Sequence, residues 1–301
     1  MSVKTIGILS PGDMGHVVGK VLQSHGVRVL TCLKGRSERT RMLAREAQID
    51  DVPTYEDLLA ETDMILSILV PESALDMARL VAEALCNAQQ TTIFVDCNAI
   101  SPGTMKAVAE VITAAGSRCL DAGIIGSPPT RPGVTRFYAS GPGVEDFVEL
   151  ANCGLDIRSL GAEMGLASAL KMCYAALTKG STAIATALLV TAHTFGVYEA
   201  LLAEWQISQP DRYRTIDRQL PVMPTKAGRW ISEMEEIAKT FGDLGLPAKI
   251  HQGVADVYRF VGTSSLAEET PETRDRNRTL TQVIEELAAH LQESTAPRPL
   301  P

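Results

Sequence analysis

The sequence predicts an α/β protein with two domains: a doubly wound parallel sheet over residues 1–161, then an all-helical domain over residues 162–301. Three observations predict this. Short apolar runs alternate with amphipathic stretches through the first half, the pattern of strands covered by helices. A turn rich in Pro and Gly, SPGDMG (residues 10–15), joins the first run to the first amphipathic stretch. From Ala162 onward strand signals cease, and helical patterns continue to about residue 292.

The elements follow in order. KTIGILS is the first strand, residues 14–24 the first helix, and VRVLTCL the second strand. MILSILV, TIFVDCN, RCLDAG, TRFYASG and LDIRSL come next, separated by helical patterns such as SALDMARLVAEAL. There are no internal repeats. The tail STAPRPLP is too polar and Pro-rich to pack and is expected to be disordered.

Composition narrows the function. Apolar residues make up 45% and charged residues 21%, as in soluble globular proteins. The net charge of -8 argues against a nucleic-acid partner, which needs clustered cations, while leaving room for a small anionic substrate. The six cysteines form no C-x-x-C pair and no metal-ligand spacing, so no metal is expected. MSVKTIGILS lacks a signal-peptide pattern, and STAIATALLVTAHTFGV falls short of the ~20 residues of a bilayer span. These features predict a reduced, cytoplasmic protein without a membrane partner.

The turn GILSPGDMG has the outline of the dinucleotide fingerprint G-x-G-x-x-G, with Ser10 at the first glycine. Pro11 is expected to push Ser10 into the extended region, where glycine is not required. Gly12 would let a pyrophosphate approach, and Gly15 would let helix and strand pack closely. Asp13 is read as a helix cap turned away from phosphates, and Met14 completes the turn. A plain strand-to-helix turn is the alternative. A P-loop is excluded, because Met14 and Val21 occupy positions that require Gly and Ser or Thr.

The second strand ends CLKGRSERTR, with no acid before Glu38. An enzyme selecting NAD carries an acid there for the ribose hydroxyls. Lys34, Arg36, Ser37 and Arg39 instead suit a 2'-phosphate, so NADP (NADPH) is the expected cofactor; a solvated basic loop is the alternative. This makes the first half a Rossmann domain.

These residues resemble the β-hydroxyacid dehydrogenase superfamily, which contains 3-hydroxyisobutyrate and 6-phosphogluconate dehydrogenases and the imine reductases. GILSPGDMG resembles its G-x-G-x-M-G turn, and Gly35, Arg36 and Ser37 its Asn-Arg-Thr/Ser step. LVPES, with Val70 and Pro71, is similar to its cofactor-side Leu-Pro loop, and VDCNAISP, with Asn98, to Val-Asp-x-Ser-Thr-x-x-Pro. LDAGIIGSPP stands where the family has Asp-Ala-Pro-Val-Ser-Gly-Gly. GLASALKMCYAALTKG stands at its G-x-x-x-K-x-x-x-N helix, with Lys171 on the lysine, and SEMEEIAKTFGDLGLP at the helix after its Lys-Asp pair, with Glu233 on the acid. The matches run in order over residues 5 to about 247, closest to a branch of little-characterised oxidoreductases.

Three segments depart from the family. Its Ser-Gly-Gly becomes Ile125, Gly126 and Ser127; the asparagine after the lysine is Ala175; the lysine of the downstream pair is Ser232. The resemblance implies oxidoreductase chemistry acting on CH-OH, with Lys171 as the proton-transfer group, provided burial makes its ammonium easier to deprotonate. A snorkelling surface lysine is the alternative. Gly126 and Ser127 would line the substrate loop, and Arg131 could hold a carboxylate. Tyr174 and Thr178, at i+3 and i+7 from Lys171, could orient substrate or could be core hydrogen-bonding residues. His193 and Trp230 read as core residues.

The expected activity is NADP-dependent hydride transfer to or from a small β-hydroxyacid or related carbonyl compound. The alternatives are an imine reductase and a non-catalytic NADP-binding sensor or scaffold. The helix through GSTAIATALLVTAHTFGV is apolar on nearly all sides, so other helices must surround it. Family resemblance implies a homodimer of interlocked helical domains, with each active site completed by the partner.

Overall fold

The computed structural model describes residues 3–295. Its strands are β1 (Thr5–Leu9), β2 (Arg28–Thr31), β3 (Asp50–Asp51), β4 (Met64–Ser67), β5 (Ile93–Asp96), β6 (Arg118–Gly126), β7 (Thr135–Ser140) and β8 (Ile157–Ser159). They form one sheet in the order β3-β2-β1-β4-β5-β6-β7-β8. The predicted strands are all present. β3, a pair of exposed aspartates, gives no apolar signal and is not among them.

The sheet is parallel, as predicted, but for one pair: β7 runs antiparallel to β6, from Asp121 opposite Ser140 to Gly126 opposite Thr135. Only residues 127–134 join them, too few for the crossover that parallel neighbours require.

Helices α1 (Gly15–Ser24), α2 (Glu38–Glu46), α3 (Tyr55–Glu61), α4 (Ala74–Ala88), α5 (Pro102–Ala114) and α6 (Glu145–Val148) cover the sheet. The strands alternate their side chains between two cores. Ile6, Ile8, Val95 and Phe137 pack with α1, α2 and α6, while Leu9, Ile65 and Phe94 pack with α3, α4 and α5. Ser37, Thr54 and Ser101 cap α2, α3 and α5 by accepting the amides of Thr40, Asp57 and Thr104. Strand order reverses between β1 and β4, whose last residues Leu9 and Ser67 lie in register. The crevice of a doubly wound sheet opens at such a reversal, beyond the carboxyl ends of the strands.

The chain divides into two compact units, residues 1–173 and 174–301, and the division falls inside α7 (Leu166–Thr194). The sequence puts the boundary at 161/162, between β8 and this helix. The opening turn of α7 lies with the first unit because its amides are satisfied there. Ala167 N donates to Ser140 Oγ and Ser168 N to Asp121 Oδ2.

The second unit continues with α8 (Tyr198–Ser208), α9 (Pro210–Gln219), α10 (Pro224–Asp243), α11 (Lys249–Gly262) and α12 (Leu280–Thr295). It contains no strand among the described residues. The apolar stretch expected to be too short for a membrane span belongs to the 29-residue α7, which is long enough by length and composition, but 56% of its most apolar window is buried in the fold. Residues 296–301 of the tail lie outside the described residues.

Candidate active site

The turn after β1 is tighter than its sequence suggests. Ser10 has φ 61, the left-handed region that favours glycine, and Gly12 N donates back to Ser10 O at 2.7 Å. The expectation that Pro11 leaves Ser10 extended is therefore wrong: closing this turn around Pro11 needs the conformation a glycine supplies elsewhere. Gly15 behaves as expected, since a Cβ there would stand 3.1 Å from Ser10 O and 3.2 Å from Ile8 Cγ2. At Gly12 a Cβ would meet nothing closer than 4.0 Å, so this backbone is open to an approaching group.

Asp13 is not the helix cap. The N-cap of α1 is Met14, which makes no side-chain capping bond. Asp13 lies one residue too early and pairs with Arg39 on α2, Oδ1 to Nη2 at 2.5 Å.

The turn after β2 is built around Leu33. Its amide donates to Asp51 Oδ1, and its carbonyl accepts from Arg36 N and Arg41 Nη2. Gly35, at φ 74, reverses the chain. Arg36 Nη2 reaches Tyr55 OH at 3.4 Å, while its buried Nε has no hydrogen-bond partner. Ser37 Oγ accepts from Thr40 N. A buried guanidinium nitrogen without an acceptor is costly, and an anion bound at this turn would satisfy it. The residues fit a phosphate.

The loop after β4, with Val70 and Pro71, is held from β5. Leu69 N donates to Asn98 Oδ1 at 2.5 Å, and Asn98 Nδ2 donates to Ser67 Oγ and Asp96 Oδ2. The Asn98 side chain is buried and occupied by these bonds, so it fixes the loop. Burial pushes the Asp96 carboxyl up to about 7. The two Asn98 donors oppose that rise, and the Asp121 carboxylate, in register on β6, reinforces it.

Asp121 anchors the Lys171 helix. It accepts from Ser168 N at 2.9 Å, Ser168 Oγ at 2.7 Å and Ser140 Oγ at 3.1 Å. Burial still raises its carboxyl above the ordinary range, against these donors. One turn on, half-buried Lys171 donates its Nζ to Ile124 O at 2.7 Å, near the carboxyl end of β6. Gly126 closes the strand with φ 117, and a Cβ there would lie 1.9 Å from Val134 O. The loop beyond exposes Ser127 and Arg131, and Thr135 Oγ1 donates to Ser127 O.

In the second unit Ala175 is buried and Tyr174 half exposed, while Thr178 returns its hydroxyl to the Tyr174 and Ala175 carbonyls. The downstream acid has a cation the sequence does not reveal. Glu233 Oε2 meets Lys179 Nζ at 2.6 Å, both residues buried, with the Trp230 ring 5.3 Å from the ammonium. Tyr258 OH donates to Lys179 O, and burial together with Glu233 drives that phenol above its ordinary pKa. Lys179 follows Ala175 by four residues, and only the fold brings it to α10.

Comparison with known proteins agrees with this arrangement. Residues 5–143 match the NAD binding domain of 6-phosphogluconate dehydrogenase, and residues 192–261 match a domain of unknown function, DUF1932. The chain belongs to the β-hydroxyacid dehydrogenase superfamily. It is an NAD(P)-dependent oxidoreductase. It is 29% identical over 197 residues to an uncharacterized 28.5 kDa protein of Methanothermus fervidus, covering 65% of this chain and 74% of that protein. A conserved protein of unknown function, described as structurally similar to 3-hydroxyacid dehydrogenases, matches with a TM-score of 0.64 and 28% identity over 86% of this chain and 96% of that one. The 3-hydroxyisobutyrate dehydrogenase of Mycobacterium tuberculosis, solved with L-serine, shares the fold at a TM-score of 0.63 and 16% identity, over 97% of this chain and 99% of that one.

Proposed function

We propose that this superfamily member transfers hydride between NADP and a small β-hydroxyacid or the matching carbonyl compound, with Lys171 moving the proton at the reacting oxygen. The observation that carries this is the tethering of Lys171 near the carboxyl end of β6, through Ile124 O and the Asp121–Ser168 bonds one turn earlier. When bound, the nicotinamide supplies or accepts the hydride.

The chain's own residues do the rest. Ser10, Pro11, Gly12, Met14 and Gly15 form the open turn that takes the pyrophosphate, and Arg36 and Ser37 receive the 2'-phosphate. Val70 and Pro71, braced by Asn98, border the cofactor. Lys171 accepts the hydroxyl proton in oxidation and returns it in reduction. Gly126 and Ser127 shape the substrate loop. Arg131 is exposed and makes no hydrogen bond or ion pair among the described residues, which suits it to a carboxylate. Tyr174 and Thr178 follow Lys171 by one and two turns and orient the substrate. L-serine, the compound on the M. tuberculosis enzyme, is itself a β-hydroxyacid, which supports this substrate class.

The chain works as a homodimer. In the second unit an apolar groove of ≈ 640 Å³ is lined by Ile184, Leu188, Phe195, Val197 and Ile250 among others, and the Phe195 and Ile250 side chains lie open to solvent. An apolar face of this kind calls for cover, and a second copy of the chain supplies it. All six cysteines are free thiols, in keeping with a reducing cytoplasm.

The test is nicotinamide absorbance with NADP and NADPH against panels of β-hydroxyacids, β-carbonyl acids and cyclic imines. Turnover with the acids is expected. Turnover with imines alone assigns imine reduction, and none with either panel leaves a sensor or scaffold. Light scattering checks the dimer against the 32.3 kDa of one chain.

A further inference from the structure

The first two turns of the sheet meet through opposite charges. Asp13 follows Gly12 in the turn after β1, and Arg39 stands in the first turn of α2, two residues past the Ser37 cap. Their side chains close to 2.5 Å, each about one-third exposed (35% and 36%). A dinucleotide on a sheet of this order runs its adenosine half from the end of β1 to the end of β2. A bound ribose would therefore lie near the line that this ion pair spans. Asp13 repels the phosphates there, while Arg39 neutralises Asp13 and is also a forked phosphate donor. One guanidinium faces two anions.

We propose that Asp13 sets cofactor selectivity by competing with the 2'-phosphate for Arg39. This rests on the NADP assignment above. A partly exposed pair is weak, and a phosphate carries more charge than a carboxylate, so the 2'-phosphate draws Arg39 away. A cofactor with a plain 2'-hydroxyl leaves the pair closed. Asp13, left beside the phosphates, holds NADPH affinity below what the cations alone would give and so speeds cofactor release.

Calorimetry on the full chain tests this with NADPH, NADH and the fragments 2',5'-ADP and 5'-AMP. The proteins are the native chain, Asp13→Asn, Arg39→Met and the double variant. Asp13→Asn is expected to tighten NADPH and 2',5'-ADP by about 5-fold, and NADH and 5'-AMP by under about 2-fold. Arg39→Met weakens the 2'-phosphorylated ligands, and in the double variant the selective gain disappears. Asp13→Ala, which removes the carboxylate without adding an amide, gives the same order. An Asp13→Asn protein that binds NADPH no tighter, or gains equally for NADH, overturns the proposal. Native protein that binds NADH but shows no preference for 2',5'-ADP over 5'-AMP overturns the NADP assignment itself, a different result.

Discussion

Gly123 makes room for Lys171. A Cβ at position 123 would stand 2.8 Å from Ala167 O and 3.0 Å from Lys171 Cβ. The bare backbone lets α7 lie on β6 closely enough for Lys171 to reach Ile124 O. Gly123→Val is expected to cost about 1–3 kcal/mol by overpacking and to lower turnover as the helix lifts. Urea denaturation and steady-state rates check it, and unchanged turnover would show that Lys171 needs no close seat.

Lys171→Ala is expected to lower turnover about 10²- to 10⁴-fold, the usual contribution of general acid–base catalysis. NADPH affinity should hold, because the phosphate contacts lie at the turns after β1 and β2. Lys171→Arg should fail as well, since guanidinium keeps its proton. Rates, calorimetric affinity and melting temperatures separate this from a structural lysine, which Arg would rescue.

Arg36→Ala is expected to raise the Michaelis constant for NADPH and leave that for NADH nearly unchanged. Initial rates with both cofactors decide it. Equal losses would mean that Arg36 supports the turn through Tyr55 rather than meeting a 2'-phosphate.

Asp96 should give the fold an acid-favoured component. Its carboxyl is raised from 3.8 to about 7, chiefly by burial. The folded chain thus keeps a proton that the unfolded chain has already released. That contribution is complete below 3.8, declines as pH rises, and is lost above about 7, amounting to at most about 4 kcal/mol. Buried Asp121 slopes the same way, whereas Glu38, Asp156 and Glu269, lowered by arginines, slope oppositely. The measurement is therefore the difference between native protein and Asp96→Asn in urea at pH 4.5, 6 and 8. The native chain should lose stability relative to the variant as pH rises.

Lys179→Met is expected to destabilise the second unit by up to about 3–5 kcal/mol, because buried Glu233 loses its 2.6 Å cation and keeps the longer, 3.9 Å pair with half-exposed Arg229. Lys179→Met with Glu233→Leu should cost much less. Thermal melts of both variants test this, and equal losses would assign the effect to packing on Trp230.

Most of the fold was legible because it rests on local periodicity. Seven strands and the change to helices at α7 are written in apolar runs. β3 was not, since Asp50 and Asp51 join the sheet by backbone pairing alone. The antiparallel β7 was legible only from the shortness of residues 127–134. At the site, residue identity revealed more than conformation did. Gly15 and Gly126 stand where close packing and a positive φ require them. Ser10 misled because proline rules describe an isolated dipeptide, not a turn closed by Gly12 N. Asp13 misled because its partner is 26 residues away. Asn98 is the same case, with a side chain spent on Leu69, Ser67 and Asp96 that no spacing announces.

The strand order also bears on synthesis. β2 and β4 both pair with β1, β3 pairs with β2, and β5 through β8 each pair with the strand made just before. Every strand after β1 finds a partner already translated when it emerges. The sheet can therefore assemble on the ribosome in the order it emerges, with the apolar edge of β1 covered on both sides once β4 has left the exit tunnel. A chain stalled after β8 has already made every strand partner found among the described residues.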